Sequence, residues 1–187
     1  MRNSLSYGTL PEGMIDFSLL PSQQQRKKQK GDNMKELRRK DRAISEEEAL
    51  ELLTRAEYGI LSTVSEDGKP YGVPLNYCVV DNCIYFHCAV EGQKIDNINH
   101  NKSVSFCAVE NTEILPDQFA TKYESVIASG EIGEVFGAEK RKGLEGLLNK
   151  YSKDYFDEGA KCIDTKDQVT KVFKITISQL CGKARKE

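Results

Sequence analysis

The length, composition and charge of this chain are typical of a single globular domain. Its 187 residues are 39% hydrophobic and 30% charged, with a net charge of −2. This is enough chain to bury a core, and it carries none of the basic excess that marks a nucleic-acid-binding domain. No run of about 18 apolar residues predicts a membrane span, and the N-terminus lacks the pattern of a secretory signal. We therefore expect a cytoplasmic protein with neither a nucleic-acid nor a membrane partner.

The N-terminal third of the sequence contains a change in composition. Residues 1–33 include the polar, basic stretch PSQQQRKKQKGDN, and their few apolar residues follow no sustained period. We interpret residues 1–33 as an N-terminal extension that forms a flexible arm. Residues 34–187 form the predicted domain.

Two helices frame the first half of the predicted domain. Ser45 and Glu48 have the spacing of a capping box, and an apolar face follows them at Ala49, Leu52, Leu53 and Ala56. A shorter helix is predicted from about Lys94 to Asn99, after Gly92.

Strand-like segments make up most of the rest. GILSTV is followed by a turn that contains Asp67-Gly68, and PYGVPLNYCVV is separated from CIYFHCA by Asp81-Asn82, a plausible two-residue turn. SVSFCAVE is the next strand, and YESVIASGEIGEVF is predicted to be long and bent at its glycines. The segment GAEKRKGLEGLLNKY has helical apolar spacing, residues 152–168 are predicted to be irregular, and TKVFKITISQL is the last strand. The sequence therefore predicts a mainly β fold: a closed or partly open six-stranded antiparallel barrel with peripheral helices.

The six cysteines do not predict a disulfide framework. Without an export signal the compartment is expected to be reducing, and a domain of this size does not need covalent bridges. Four of the six lie in strand-like segments, where cysteine behaves as a small buried apolar residue.

His87 and Cys88 are adjacent, but the strand predicted around them separates their side chains. Alternation places Cys83, Tyr85 and His87 on one face and Cys88 on the other. Cys83 and His87 are roughly 13 Å apart at about 3.3 Å per residue, which is too far for one zinc ion. We therefore predict no metal site, and the same alternation argues against a Cys–His nucleophilic pair.

The Asp81-Asn82 turn also predicts a register. It pairs Asn76 with His87 and Leu75 with Cys88. One face is then a suitable barrel interior, formed by Leu75, Tyr77, Val79, Ile84, Phe86 and Cys88. We interpret the other face as a ligand or subunit-contact surface, with a merely exposed mixed face as the alternative; it consists of Asn76, Cys78, Val80, Cys83, Tyr85 and His87.

The position of Lys94 in the first turn of the predicted helix indicates an anion-binding site. A cation in the first turn of a helix opposes the helix dipole. Its position is explained if an anion such as a phosphate lies between the ammonium and the free N–H groups of that turn. A solvated lysine is the alternative.

Several segments together resemble a known family. They are LRRKDRAIS, GILSTVSEDGKPYGVPLNY, IYFHCAVEGQKIDNI, VSFCAVE, YESVIASGEI and KRKGLEGLLNKY. In this order and spacing, over residues 34–183, they resemble the nitroimidazole-resistance (Nim) proteins, a branch of the pyridoxamine 5'-phosphate oxidase-like superfamily of FMN-binding split barrels. The tail ITISQLCGKARKE lacks the arginine-rich ending of true pyridoxamine-phosphate oxidases, which argues against oxidation of vitamin B6.

The resemblance implies a cofactor, an assembly and an activity. It implies a homodimer with FMN at the subunit interface and flavin-dependent reduction of small electron-poor substrates such as nitroimidazoles. A non-catalytic flavin-binding, haem-binding or sensor protein on the same barrel is the alternative. In the resemblance, Lys94 is a phosphate ligand, His87 is the catalytic residue on the substrate side of the flavin, and Cys88 and Ala89 pass under the ribityl chain. The strand Val73, Pro74, Leu75 and Asn76 lines the flavin ring, and a further strand contributes Tyr123, Ser125 and Val126.

Overall fold

The computed structural model describes residues 37–186; the predicted N-terminal arm, residues 1–33, lies outside this range. Within it the chain forms four α-helices and one seven-stranded antiparallel sheet. Helices α1 to α4 span Glu46–Arg55, Gln93–His100, Gly137–Tyr151 and Phe156–Lys166. Strands β1 to β7 span Gly59–Val64, Pro70–Leu75, Cys78–Val80, Cys83–Cys88, Ser103–Leu115, Ala120–Val135 and Lys171–Arg185. None of the helices in this range is long and apolar enough to cross a membrane.

The strand order shows that the sheet curls into a split barrel. The order is β2-β1-β5-β6-β7-β4-β3, so β2 and β3 are the two outer strands. Only Asn76 and Tyr77 connect them, and three Cα steps cover no more than about 11 Å. The two edges must therefore approach each other, but they form no ladder, so the barrel is split and not closed. The predicted fold class is confirmed, with seven strands where we expected six.

The extra strand arises because PYGVPLNYCVV is divided into β2 and β3. The Asp81-Asn82 turn is confirmed: both residues have positive φ, 48° and 57°, and Val80 pairs with Cys83. The ladder ends at Cys78 and Tyr85, however. The predicted pairs Asn76–His87 and Leu75–Cys88 are therefore wrong, and Leu75 pairs with Gly59 of β1 instead.

Tyr77 explains why the chain leaves β4 at this point. Its ring is buried, and its hydroxyl donates to the carbonyl oxygen of Leu53 in α1 at 2.5 Å. The hydroxyl of Tyr151 accepts from the Tyr77 N–H at 3.1 Å and donates to the Tyr77 carbonyl oxygen at 2.8 Å. These contacts satisfy the backbone of Tyr77 outside any ladder.

The barrel interior is the face that alternation predicted. Tyr77, Ile84 and Phe86 are fully buried in the main core, and Leu75, Val79 and Cys88 pack against it. Helix α1 closes the barrel with Ala49, Leu52 and Leu53. Its capping box is present in both directions, because the Ser45 hydroxyl accepts from the Glu48 N–H and the Glu48 carboxylate accepts from the Ser45 N–H.

The opposite face of β3 and β4 is mostly not a ligand or subunit surface, which corrects our prediction. Cys78 and Tyr85 are buried against Leu144 and Leu147 of α3, and Val80 and Cys83 pack against this second cluster. The fit is close, since a Cβ on Gly143 of α3 would lie 2.8 Å from the Tyr85 ring. Asn76 and His87 remain exposed beyond the end of this cluster.

Residues 152–168 are also not irregular as predicted, because they contain α4. None of its residues is fully buried, and its apolar stripe is short, formed by the half-buried Phe156, Ala160 and Ile163. It is attached to α3 by the Arg141–Asp164 ion pair, at 2.7 Å. Leu148 of α3 packs closely on Gly159.

Candidate functional site

His87 and Cys88 lie beside the split in the barrel. They are the last residues of β4 and pair with Val172 and Lys171 of β7. Because β3 pairs with β4 only as far as Tyr85, no described strand covers the other side of these two residues. His87 is exposed, as is Ala89 after it.

The predicted strand Val73 to Asn76 borders the same split from the other side. It is the end of the outer strand β2 and its continuation. Val73 and Leu75 are half-buried and pack on the main core, whereas Pro74 and Asn76 are exposed. Pro74 has no N–H to donate, which suits an outer strand. The side chains of Val73 and Leu75 thus support the barrel, and their backbone and the exposed neighbours face the opening.

Helix α2 places Lys94 at this opening. The helix was predicted to start near Lys94 and begins at Gln93, after Gly92 at φ 128°, a conformation that favours glycine. No side chain caps its first turn. The Ile95 N–H donates to the Gly92 carbonyl oxygen at 2.8 Å, so the N–H groups of Gln93 and Lys94 are the ones available to an anion. Lys94 is half-buried.

The charge of Lys94 acts on both neighbouring residues of β4. His87 is exposed overall, yet the protein around its ring and the positive charge of Lys94 both lower its pKa below the ordinary value. The imidazole is therefore more neutral near pH 7 than a free histidine, with one nitrogen donating and the other accepting. The structure thus brings His87, Cys88 and Lys94 close together.

Cys88 is a packing residue and not a nucleophile. Burial raises the pKa of its thiol, and the charges of Lys94 and Lys171 only partly oppose that rise. A protonated thiol that packs on the core is a poor nucleophile. All six cysteines are free, and residues 37–186 contain no group of histidine, cysteine and carboxylate side chains arranged to hold a metal.

Tyr123, Ser125 and Val126 are not brought to the split within this chain. The side chain of Val126 is fully buried in the main core, so only its backbone is available to a ligand. Strands β1 and β5 lie between β2, which carries Leu75, and β6, which carries Val126. Three spacings between neighbouring strands separate β2 from β6 by about 14 Å along the sheet. Tyr123 and Ser125 alternate with Val126 and lie on the outer surface of β6.

Two residues, Lys171 of β7 and Asn97 of α2, were missed by sequence reasoning. Lys171 is paired to Cys88 across the ladder and forms an ion pair with Glu134 at 2.7 Å. Asn97 of α2 is buried against Thr63 of β1. The β4–β7 pairing joins segments far apart in sequence, so no local pattern indicated Lys171. Asn97 could have been found from the sequence, because it lies between the apolar residues Ile95 and Ile98 on the predicted helix.

A shallow depression between α2 and the turn that joins β1 to β2 is a poor phosphate site. It has a volume of about 440 Å³ and is lined by the carboxylates of Glu66, Asp67 and Asp96, among other polar residues. It includes neither His87 nor Lys94. Negative side chains repel a phosphate, so the first turn of α2 beside Lys94 is the better site.

Comparison with known proteins identifies the family. The sequence profile described as pyridoxamine 5'-phosphate oxidase matches residues 45–184. The chain belongs to this family. The match covers α1, strands β1 to β6 and all but the last residue of β7, and it confirms the family that the sequence motifs indicated. No curated protein has a sequence significantly similar to the chain.

Solved structures of the pyridoxamine 5'-phosphate oxidase fold match over most of the described chain. A candidate 5-nitroimidazole antibiotic resistance protein from Bacteroides thetaiotaomicron is 23% identical, with a TM-score of 0.64 over 75% of this chain and 85% of that one. An FAD-binding protein from Mesorhizobium loti is 26% identical, with a TM-score of 0.55 over 78% and 97%. An FAD- and heme-binding protein from Mycobacterium smegmatis is 14% identical, with a TM-score of 0.64 over 76% and 72%.

Proposed function

We propose that the protein is an FMN-binding flavoprotein that reduces small electron-poor substrates such as nitroimidazoles. The observation that carries this proposal is the position of Lys94 in the uncapped first turn of α2, beside the exposed His87 at the split. A dianionic phosphate would satisfy both the ammonium and the helix N–H groups. The likeness to a candidate nitroimidazole-resistance protein supports the choice of substrate class.

The residues at the split fit the parts of FMN unequally. Lys94 and Gly92 suit the phosphate, since one supplies charge and the other allows close approach of the backbone. Pro74, Asn76 and the backbone of Cys88 and Ala89 would border the ribityl chain and the ring. When bound, FMN would supply the electron or hydride transfer.

His87 would bind and orient the substrate. Its lowered pKa favours the neutral ring, which donates a hydrogen bond from one nitrogen to an oxygen of a nitro group. Burial of the ring and, to a smaller extent, the nearby Lys94 charge favour this neutral form, in which the second nitrogen is free as an acceptor. The surrounding β4–β7 ladder fixes the backbone from which the ring projects.

We place the second group of residues, Tyr123 and Ser125, in the site of a partner subunit of a homodimer. They lie on the outer face of the sheet, where the row Ile60, Cys107 and Ile127 crosses β1, β5 and β6. Ile60 and Ile127 are 42% and 41% exposed. Apolar side chains on neighbouring strands form a continuous patch of the kind that mediates association, and a two-fold contact would use it in both copies.

The dimer has a direct test. Light scattering at micromolar concentration is expected to give about twice the chain mass of 21.0 kDa. Ile127→Glu should give a folded monomer with weakened FMN binding. Val169→Glu is the matched control, because Val169 is also an exposed apolar residue (64%) but lies away from the row. A wild-type monomer that binds FMN tightly would refute the shared site.

The second candidate function is binding without turnover. An FAD- and heme-binding protein has the same fold, and the exposed imidazole of His87 is of the type that ligates haem iron. The two ligands have different absorption spectra, so titration of the purified protein with FMN and with haem decides between them.

Turnover separates a reductase from a binding protein. The purified protein should be yellow or take up added FMN, and the flavin can then be reduced without oxygen. Addition of a nitroimidazole is expected to reoxidise it faster than free reduced FMN. Equal rates would refute the reductase, and failure to take up FMN would refute the flavoprotein. We also propose a cytoplasmic location, which the six free thiols support.

A further inference from the structure

A buried polar chain attaches helix α2 to the first hairpin. Asn97 and Thr63 are only 1% and 2% exposed. The Asn97 Nδ2 donates to the Thr63 hydroxyl at 2.9 Å, and the Thr63 hydroxyl donates to the Tyr71 carbonyl oxygen at 3.3 Å. On the other side, the Asn97 Oδ1 accepts from the Gln93 Nε2 at 2.8 Å. Both ends of the buried amide are thus used, and they connect the first turn of α2 to β1 and β2.

This chain restrains α2 in a way that its apolar contacts do not. Ile95 and Ile98 pack into the main core, but dispersion contacts lack direction and permit a helix to roll. A hydrogen bond from a buried amide has one favourable geometry, and leaving it unmade in the interior is costly. Asn97 therefore fixes the rotation of α2 about its axis.

Lys94 lies one turn before Asn97 on the same side of this helix. Residues three apart are neighbours on a helix surface, and side chains lean toward the N-terminus. The charge of Lys94 acts on His87 and Cys88, so its ammonium lies near the end of β4. Rotation of α2, which has eight residues, about its own axis would move the end of the long Lys94 side chain. A small rotation is enough to carry the ammonium out of hydrogen-bonding range of a bound anion.

We propose that Asn97 is a positioning residue: its hydrogen bond to Thr63 holds α2 in the rotation that places the Lys94 ammonium beside His87, where the phosphate would bind. The phosphate role rests on the proposed function. The placement of Lys94 does not, and it can be measured without any cofactor.

The cofactor-free measurement uses the two histidines of the chain as NMR probes. The imidazole pKa of His87 is measured by titration of the apo protein, with the signal assigned from a His87→Gln variant. Because the Lys94 charge lowers this pKa, Lys94→Ala should raise it. Asn97→Ala and Thr63→Val, which break the same hydrogen bond from opposite sides, should each raise it partway. Asn99→Ala is the matched control, since Asn99 is an exposed asparagine of the same helix and should leave the pKa unchanged.

The second measurement compares FMN with riboflavin, which has the ring but lacks the phosphate. Asn97→Ala is expected to weaken FMN binding about fivefold to tenfold, as the loss of one well-formed contact does, and to leave riboflavin binding unchanged. In a Lys94→Ala background, Asn97→Ala should change neither FMN affinity nor the His87 pKa any further.

The outcomes separate this proposal from the proposed function. An unchanged His87 pKa in folded Asn97→Ala and Thr63→Val, or an equal rise with and without Lys94, would overturn the positioning role. Equal loss of FMN and riboflavin affinity would also overturn it, since a general loss of structure would act on both. The expected pKa pattern in a protein that binds no FMN would support the positioning role and refute the flavoprotein alone.

Discussion

Gly130 of β6 offers a sharp test of the bend that shapes the barrel. It lies at the register shift between β6 and β7, where Ser129 pairs with Gln179 and Gly130 with Ile177. A Cβ at Gly130 would lie 2.1 Å from the carbonyl oxygen of Thr176. Because β6 is held between β5 and β7, neither backbone can retreat without breaking a ladder.

The expected cost of Gly130→Ala follows from this geometry. Overpacking costs typically 1–3 kcal/mol, and an obstacle that is backbone and not a movable side chain places this substitution at the upper end, about 3 kcal/mol. For a chain of this size, each 1 kcal/mol lowers Tm by about 2–4 °C, so Tm should fall by about 6–12 °C. Thermal unfolding followed by circular dichroism measures this directly.

Gly133 provides the matched control on the same strand. A Cβ there would meet no heavy atom within 4 Å, so Gly133→Ala should stay within about 0.5 kcal/mol of the wild type. A Tm of Gly130→Ala within about 2 °C of the Tm of Gly133→Ala would correspond to less than roughly 1 kcal/mol. That result would contradict the close approach of β6 and β7 at Gly130.

Three further substitutions test the site and the packing around it. Lys94→Ala should weaken FMN binding about tenfold to a hundredfold, because a charge-assisted contact to phosphate is lost; fluorescence titration measures this. Ser45→Ala removes the capping box of α1 and should lower the free energy of unfolding in urea by about 1 kcal/mol. Lys150→Met removes an ammonium whose pKa burial lowers from 10.5 to about 8. The unfolded chain retains that proton at higher pH, so wild-type stability should rise relative to Lys150→Met between pH 8 and 10.5, by about 1–2 kcal/mol after allowance for partial exposure.

Each of these has its own control. Lys102→Ala, an exposed lysine near the same helix, should leave FMN affinity unchanged; an equal loss in both variants would mean that Lys94 acts only through net charge. Ser45→Thr keeps the hydroxyl and should retain most of the stability that Ser45→Ala loses. The Tyr77 ring, 3.9 Å from the Lys150 ammonium, favours the charged form. If the difference in stability between the wild type and Lys150→Met did not change with pH, the contact with the Tyr77 ring would fully offset the effect of burial on the Lys150 pKa.

Local sequence patterns determined most of the secondary structure and half of the site. The capping box at Ser45 and the turn at Asp81-Asn82 involve residues no more than three apart, and both are present as predicted. Alternation along β4 correctly placed Phe86 inside and His87 outside, because the geometry of a strand depends on its own residues alone. The cation in the first turn of α2 was visible for the same reason.

Tertiary structure decided how these pieces meet. Alternation could not show that α3 covers Tyr85, since a face that will receive a helix and a face that will receive a ligand have the same period. Nor could it show that Tyr77 leaves the β4 ladder, because its partners, Leu53 and Tyr151, come from two helices distant in sequence. The burial of Val126 and the anchoring of α2 by Asn97 likewise depend on contacts across the barrel. A local period fixes which side of an element a residue occupies, and only long-range packing fixes what that side faces.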